Sequence, residues 1–424
     1  MPSAAQWKKA LQSSACDETL CRLYMTDDPL PQRERYLRLL EEFTGRYGER
    51  EDVHFFSAPG RTELGGNHTD HQHGRVLAAA VTLDKLAVVS PQEDTVELGS
   101  KSHPLPPMDW RDMAHYKRER GHSPSLIRGV FAGLRQEGYA AGGFAGVSTS
   151  AVPTGSGLSS SAAFELLLGQ IQSGLYNGGT IPPVVLARIG QYAENEYFGK
   201  PSGLMDQSAC SIGGLVGIDF KNADPKIEAY SFDFEARGFN VVVLATNSSH
   251  DDLTDEYASI PAEMKAVAAA LGGKVLRQFK VQQLIEKLPE VREKTSDRAV
   301  MRALHYYDEN ERVKACYQAI EEGNLDAFLQ NIVLSGESSW KMLQNLYVGG
   351  KCEQSLALAC ALSERMLKGS GAWRVHGGGF AGTILAFVPH YKLDAYVQQM
   401  DAVFGKGACT VLGIRPVGAK KVEL

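Results

Sequence analysis

Residues 152–163 read Val152-Pro153-Thr154-Gly155-Ser156-Gly157-Leu158-Ser159-Ser160-Ser161-Ala162-Ala163, a glycine- and serine-rich run between a strand pattern and a long apolar-periodic helix. That placement makes an anion site. Glycines let the backbone approach closely, N–H groups at a helix start point at the ligand, and the helix dipole adds roughly half a positive charge there. Phosphate is the natural occupant, with a Ser-capped helix after a glycine turn as the plain structural alternative. A Walker loop would be the competing cradle, but the chain contains no Gly-Lys-Ser or Gly-Lys-Thr.

A second cluster, Pro59-Gly60-Arg61-Thr62-Glu63-Leu64-Gly65-Gly66-Asn67-His68-Thr69-Asp70-His71, packs a fixed cation, two carboxylates and two imidazoles into a glycine-bounded turn. Such density suits a polyhydroxylated ligand, held by several directed hydrogen bonds of which each charged one contributes on the order of 1.5–3 kcal/mol. His68, Asp70, His71 and His73 are also a possible metal set, but the spacing lacks the alternate His pair that clasps one ion, and no matching Cys/His cluster follows. A purely structural loop is the third reading. In Pro201-Ser202-Gly203-Leu204-Met205-Asp206-Gln207, Asp206 is a candidate base or, equally, the cap of the next helix. The run Arg374-Val375-His376-Gly377-Gly378-Gly379-Phe380-Ala381-Gly382-Thr383 mimics an esterase oxyanion loop, yet the Gly-x-Ser-x-Gly elbow that such an enzyme needs is missing from the chain.

The elements that must position these residues follow from periodicity. Residues 4–50 are helical and charged, with Leu37, Leu39, Leu40 and Phe43 as an apolar stripe before the Gly45/Gly48 break. Short β-type runs occupy Val53 to Leu98, helices are expected at 126–137, 159–177 and 184–198, and a strand at 143–150 separates the first two. This predicts helices packed on one sheet. A polar stretch then precedes the β run Val241-Val242-Val243-Leu244, which puts a domain boundary near residue 230. Charged amphipathic helices dominate 262–366, and the last 50 residues return to short strands.

At 424 residues, two domains with a cleft between them are expected. With 43% hydrophobic and 22% charged residues the chain reads as globular, and a net charge of −6 disfavours nucleic acid or an anionic membrane as partner. No apolar run reaches the roughly 18 residues of a membrane span, and the start has no signal-peptide core, so the expected location is cytoplasmic. Seven scattered cysteines without a Cys-x-x-Cys pair read as ordinary thiols.

In order and spacing these segments resemble the three signatures of the GHMP kinases, and within them the galactokinases. Residues 59–71 are similar to the signature Gly-Arg-Val-Asn-Leu-Ile-Gly-Glu-His-Thr-Asp-Tyr, residues 152–163 to the phosphate loop ending Gly-Leu-Ser-Ser-Ser-Ala, and residues 374–383 to the glycine-rich C-terminal signature. Ala193-Glu194, Gly203 to Gln207, Arg302 to His305 and Glu309 to Val313 extend the resemblance, which runs from about residue 33 to the end. It implies an α+β GHMP kinase fold: a helical extension at 1–32, an N-terminal domain like ribosomal protein S5 domain 2 at 33–230, and a C-terminal ferredoxin-like domain at 231–424. It implies ATP and Mg²⁺ as cofactors and phosphorylation of a galactose anomeric hydroxyl. Carried over residue by residue, Asp206 would be the base and Arg61 its cationic partner. Gly155, Ser156, Gly157, Leu158, Ser159, Ser160 and Ser161 would cradle ATP, Ser161 and Glu194 would hold the metal, and Glu63, Asn67, His68, Asp70, Gly203 and Tyr257 would line the sugar.

The chain departs from the signature at Glu63, Asn67 and His71, where Asn, Glu and Tyr are usual, and at His376, where Thr is usual. Ile260-Pro261 and Ser335-Gly336 also differ from the family pattern. Asn67 keeps galacturonate open as a substrate, because a Glu there would repel a C6 carboxylate whereas an amide can donate to it. A sensor that binds ATP and sugar without turnover is the rival from another class, and the presence of Arg61, Ser161, Glu194 and Asp206 argues against it.

Overall fold

The computed structural model describes residues 2–100, 105–153, 157–246 and 253–423. Among them are twelve strands: β1 (His54–Gly65), β2 (Arg75–Gln92), β3 (Thr95–Gly99), β4 (Met108–Asp109), β5 (Gly143–Ser150), β6 (Leu215–Asp219), β7 (Lys226–Tyr230), β8 (Phe239–Ala245), β9 (Ala372–His376), β10 (Thr383–Pro389), β11 (Cys409–Leu412) and β12 (Lys420–Val422). An eight-stranded sheet runs β12-β1-β2-β5-β3-β4, with β6 on β2 and β7 on β6; a four-stranded sheet runs β11-β8-β10-β9. All pairs are antiparallel except β3 with β5.

Strand alternation decides what covers each face. Ala87 and Val89 of β2 join Phe56 and Ala58 beneath the helices Ser123–Gln136 and Ser160–Tyr176, whereas Leu86 and Val88 join Phe55 on the other face. That second face is covered by the N-terminal helices Ala4–Gln12, Asp17–Tyr24 and Leu30–Tyr47 through Trp7, Leu20, Tyr36 and Phe43. The extension is therefore a structural layer of the sheet, anchored also by the Trp7 indole donating to the Val53 carbonyl at 2.8 Å.

Asp84, at 0% exposure, ties this layer down: it accepts from Tyr24 at 2.7 Å, from Arg35 at 2.6 Å and from Ser57, with the fully buried Arg415 at 3.6 Å. A core between the sheets joins Leu64, Leu77 and Val81 to Val241, Val243, Phe328 and Phe387, so β1 is backed by both halves of the chain. Among the described residues, no helix is long and apolar enough to cross a membrane.

Candidate active site

β1 carries Arg61 and Glu63 on one face, and its register with β2 shifts between Pro59 and Arg61 and again between Glu63 and Gly65. Such bulges bend a strand and re-aim its side chains. Gly60 makes the first shift compatible with its surroundings, because a Cβ there would stand 2.8 Å from the Leu158 carbonyl, the same oxygen that accepts from the Arg61 N–H at 3.1 Å.

Helix Ser160–Tyr176 begins at Ser159, a non-glycine residue with φ of 54°. Ser, Thr, Asp or Asn at this position normally caps the helix with its side chain. Here the Ser159 hydroxyl instead donates to Asp206, which leaves the first-turn N–H groups for an anionic ligand. They open on a cleft of about 1000 Å³ that Arg61, Ser160, Ser161, Lys200 and Asp206 also line. Gly157 and Ser159 line it too, Leu158 packs in the core between the sheets, and Gly155 and Ser156 lie outside the described residues.

Asp206 is in the first turn of helix Met205–Ile212, where the dipole favours a negative charge. Arg61 grips it with Nε at 2.8 Å and Nη2 at 2.7 Å from Oδ1, while Nη1 donates to the Gly157 carbonyl. Burial pushes the Asp206 carboxyl up, but Arg61, the Ser159 hydroxyl and Lys200 together hold it below the ordinary value. The result is a carboxylate held in its ionised form on the wall of this cleft.

Helix Pro183–Tyr192 continues into a π-helical turn, Ala193–Phe198, that carries Glu194. Turns of this kind often mark functional sites. Glu194 Oε1 takes the Ser161 hydroxyl at 2.9 Å and the Lys200 ammonium at 3.2 Å, while Oε2 takes Gln207 Nε2 at 2.9 Å. The same Gln207 nitrogen donates to Glu165 Oε2 at 3.0 Å. Burial and the adjacent Glu194 raise the Glu165 carboxyl well above the usual range.

The second cleft, of about 1120 Å³, is lined by Glu63, Asn67, His68, Asp70, Gly203 and Met205 among others. Gly203 lets the 201–204 turn close over the sugar-type loop, since a Cβ there would stand 2.9 Å from Asp70 Oδ2. Burial raises the Asp70 carboxyl and lowers the His68 imidazole. Asn67 is spent on the protein: Nδ2 donates to the Gly377 carbonyl at 2.6 Å and to Glu63 Oε1 at 3.2 Å, and Oδ1 accepts from Asn345 at 2.8 Å. His68 Nε2 bonds the Gly378 carbonyl at 2.9 Å. Tyr257 stands behind the glycine run, donating to the Gly379 carbonyl at 2.7 Å, and is not among the residues lining the cleft.

Two of the departures noted in the sequence prove to be neighbours. His376 Nε2 meets the Glu63 N–H at 3.2 Å and Thr62 Oγ1 at 3.0 Å, while Glu63 Oε1 pairs with the fully buried Arg374 at 2.9 Å. Burial and the cations Arg61 and Arg374 keep His376 neutral, well below the ordinary imidazole value. His305 and Glu309, from the two segments that extended the resemblance without a role assigned to them, and Asn345, which no local pattern marks, complete the support. Glu309 accepts the Gly66 N–H at 3.0 Å and His305 Nε2 bonds the Asn67 carbonyl at 2.9 Å, so helix Asp297–Glu321 holds the turn after β1.

Residues 41–91 match the galactokinase galactose-binding signature and residues 125–214 the N-terminal domain of GHMP kinases. The chain is 32% identical over 369 residues to a galactokinase of Streptomyces coelicolor, covering 86% of this chain and 92% of that one. It is 28% identical over 383 residues to a galactokinase of Clostridium tetani, covering 89% and 93%. The crystal structure of Lactococcus lactis galactokinase complexed with galactose superposes with a TM-score of 0.76 at 23% identity, over 90% of this chain and 98% of that one. Methanococcus jannaschii mevalonate kinase gives 0.60 at 16% identity, over 85% and 98%.

Proposed function

The chain belongs to the galactokinase family of the GHMP kinases, and on that premise we propose that Asp206 is the base and the first cleft the nucleotide site of an ATP-dependent galactose kinase. The enzyme phosphorylates the anomeric hydroxyl of galactose to give galactose 1-phosphate, with ATP as donor. In this reading Asp206 takes the O1 proton as the O1–P bond forms and the bond from phosphorus to ADP breaks. An anomeric hydroxyl is more acidic than an ordinary alcohol, so a carboxylate kept ionised by Arg61 suffices. The N-terminus of helix Ser160–Tyr176 and Arg61 face the transferring phosphoryl group, and such preorganised charge is where most phosphoryl-transfer catalysis comes from. The observation that carries the reading is the Arg61–Asp206 pair on the wall of the first cleft, with Met205, the residue before Asp206, lining the second.

A hydroxyl and a carboxylate 2.9 Å apart suit a hard cation, whose remaining ligands would be phosphate oxygens and water. Ser161 and Glu194 would hold Mg²⁺, which when bound supplies positive charge to the phosphates. Glu194 is the carboxylate proposed as ligand there, because it is the one that meets the Ser161 hydroxyl. Glu194→Gln should therefore shift the magnesium titration of activity to higher concentration, and an unmoved titration would reassign the metal to another carboxylate.

Asp70, Glu63 and Gly203 are the proposed sugar-side contacts, with His68, Asn67 and Tyr257 holding the loop and the glycine run that frame them. A cleft lined by the Glu63 and Asp70 carboxyls, in which Arg188 is already paired with Asp224, favours neutral galactose over galacturonate. ADP release should follow galactose far better than galacturonate or glucose; no sugar-dependent ADP at all would point to a sensor. The division near residue 230 belongs to the same proposal, with β12 returning from the end of the chain to the sheet of the first unit, as does a cytoplasmic location, supported by seven unpaired cysteines.

A further inference from the structure

Three cationic side chains line the nucleotide cleft among the described residues: Arg61, Lys85 and Lys200. Two have carboxylate partners, Arg61 with Asp206 and Lys200 with Glu194. Lys85 makes no ion pair with a described residue; its ammonium stands 5.8 Å from the centre of the Phe164 ring on the phosphate-site helix. Burial alone lowers its pKa, and no charge among the described residues offsets that.

The strand fixes its direction. Lys85 occupies the face of β2 on which Ala87 and Val89 fill the core, where a third small apolar residue would be expected. Its neighbour Asp84 points to the opposite face, locked there by Tyr24, Arg35, Ser57 and Arg415. Across the sheet Lys85 is in register with Ser150, the last residue of β5, and the next N–H, of Ala151, donates to the Asp84 carbonyl at 2.8 Å. So the chain leaves the sheet for the phosphate-loop segment directly beside Lys85. A partly desolvated ammonium without a counter-ion is unfavourable unless something supplies the opposite charge.

We propose that Lys85 is a nucleotide-binding residue of this enzyme, its ammonium serving the polyphosphate of ATP. The proposal rests on the galactokinase reading of the cleft. Lys85→Met and Lys85→Gln should raise KM for ATP and Kd for ADP at least about tenfold, the scale of one lost charge-assisted hydrogen bond. Lys85→Arg should restore most of the affinity, and KM for galactose should stay at its wild-type value. Adenosine, which has no phosphate, should bind wild type and all three variants alike in calorimetry. Unchanged ATP and ADP affinities in both neutral variants would overturn the proposal, as would an equal loss for adenosine, which would make Lys85 a support for the nucleoside. Melting curves show whether each variant is folded, and the pair of neutral substitutions guards against one failing for packing reasons. If wild type itself releases no ADP with galactose, the reading of the cleft fails; wild-type turnover with indifferent Lys85 variants sinks Lys85 alone.

Discussion

Asp206→Asn should reduce sugar-dependent ADP release by roughly 10²- to 10⁴-fold, the usual contribution of a positioned base. Nucleotide affinity should hold or tighten, because the substitution removes a negative charge from the floor of a cleft that takes polyphosphate. Turnover and calorimetric ADP binding, measured on the same preparation, separate the two effects. A variant that keeps half of the wild-type kcat would show that the proton goes elsewhere. The pH profile gives an independent check. Since Arg61 and Ser159 hold Asp206 ionised below the ordinary carboxylate range despite its burial, the acid limb of kcat/KM should lie below a free Asp pKa of about 3.9. Arg61→Met should move that limb upward, and a limb that stays put would detach Asp206 from it.

Asp84→Ala should cost about 3–5 kcal/mol of stability, the range for breaking a buried ion pair from one side. The substitution strands Arg415, which is 0% exposed, and releases Arg35 and Tyr24 of the N-terminal layer together. Burial opposes ionisation of Asp84, yet Arg35, Arg415 and the hydrogen bonds from Ser57 and Tyr24 leave its carboxyl lowered. A lowered folded-state value means that the stabilisation is fully present above the unfolded pKa and is lost as pH falls through the folded one. The gap between wild type and variant in urea denaturation should therefore be wide at neutral pH and narrow in acid. A gap that is constant with pH would show that packing, not charge, is what Asp84 supplies.

Local patterns make the parts of the active site legible and leave their assembly hidden. The helix after Ser159, the strand carrying Arg61 and Glu63, and the turn before Asp206 all announce themselves through glycines and periodicity. That Ser159 turns its hydroxyl to Asp206 rather than to its own helix depends on a residue 47 positions away, and nothing near Ser159 encodes it. Glu63 and His376 read as two unrelated departures from a signature because 313 residues separate them; the contact between the Glu63 N–H and the imidazole makes them one unit. The glycine run 377–379 reads as a flexible segment. Its carbonyls are in fact taken up by Asn67, His68 and Tyr257, contacts that only tertiary packing creates. Lys85 lacks any motif, being one cation in a β-type run.

The pairing of β12 with β1 has a consequence for how a nascent chain reaches this structure. The first strand to be made finds its outer neighbour only when residues 420–422 leave the ribosome, and Arg415, which joins Ser57 and Asp84 inside the same sheet, arrives just before them. Until then the backbone of β1 presents an open edge, the kind of surface that other chains can pair with. The half of the molecule that holds the phosphate site is thus not contiguous in sequence and cannot close during its own translation. A shortened chain ending near residue 235 should accordingly aggregate on release, however complete its set of catalytic side chains.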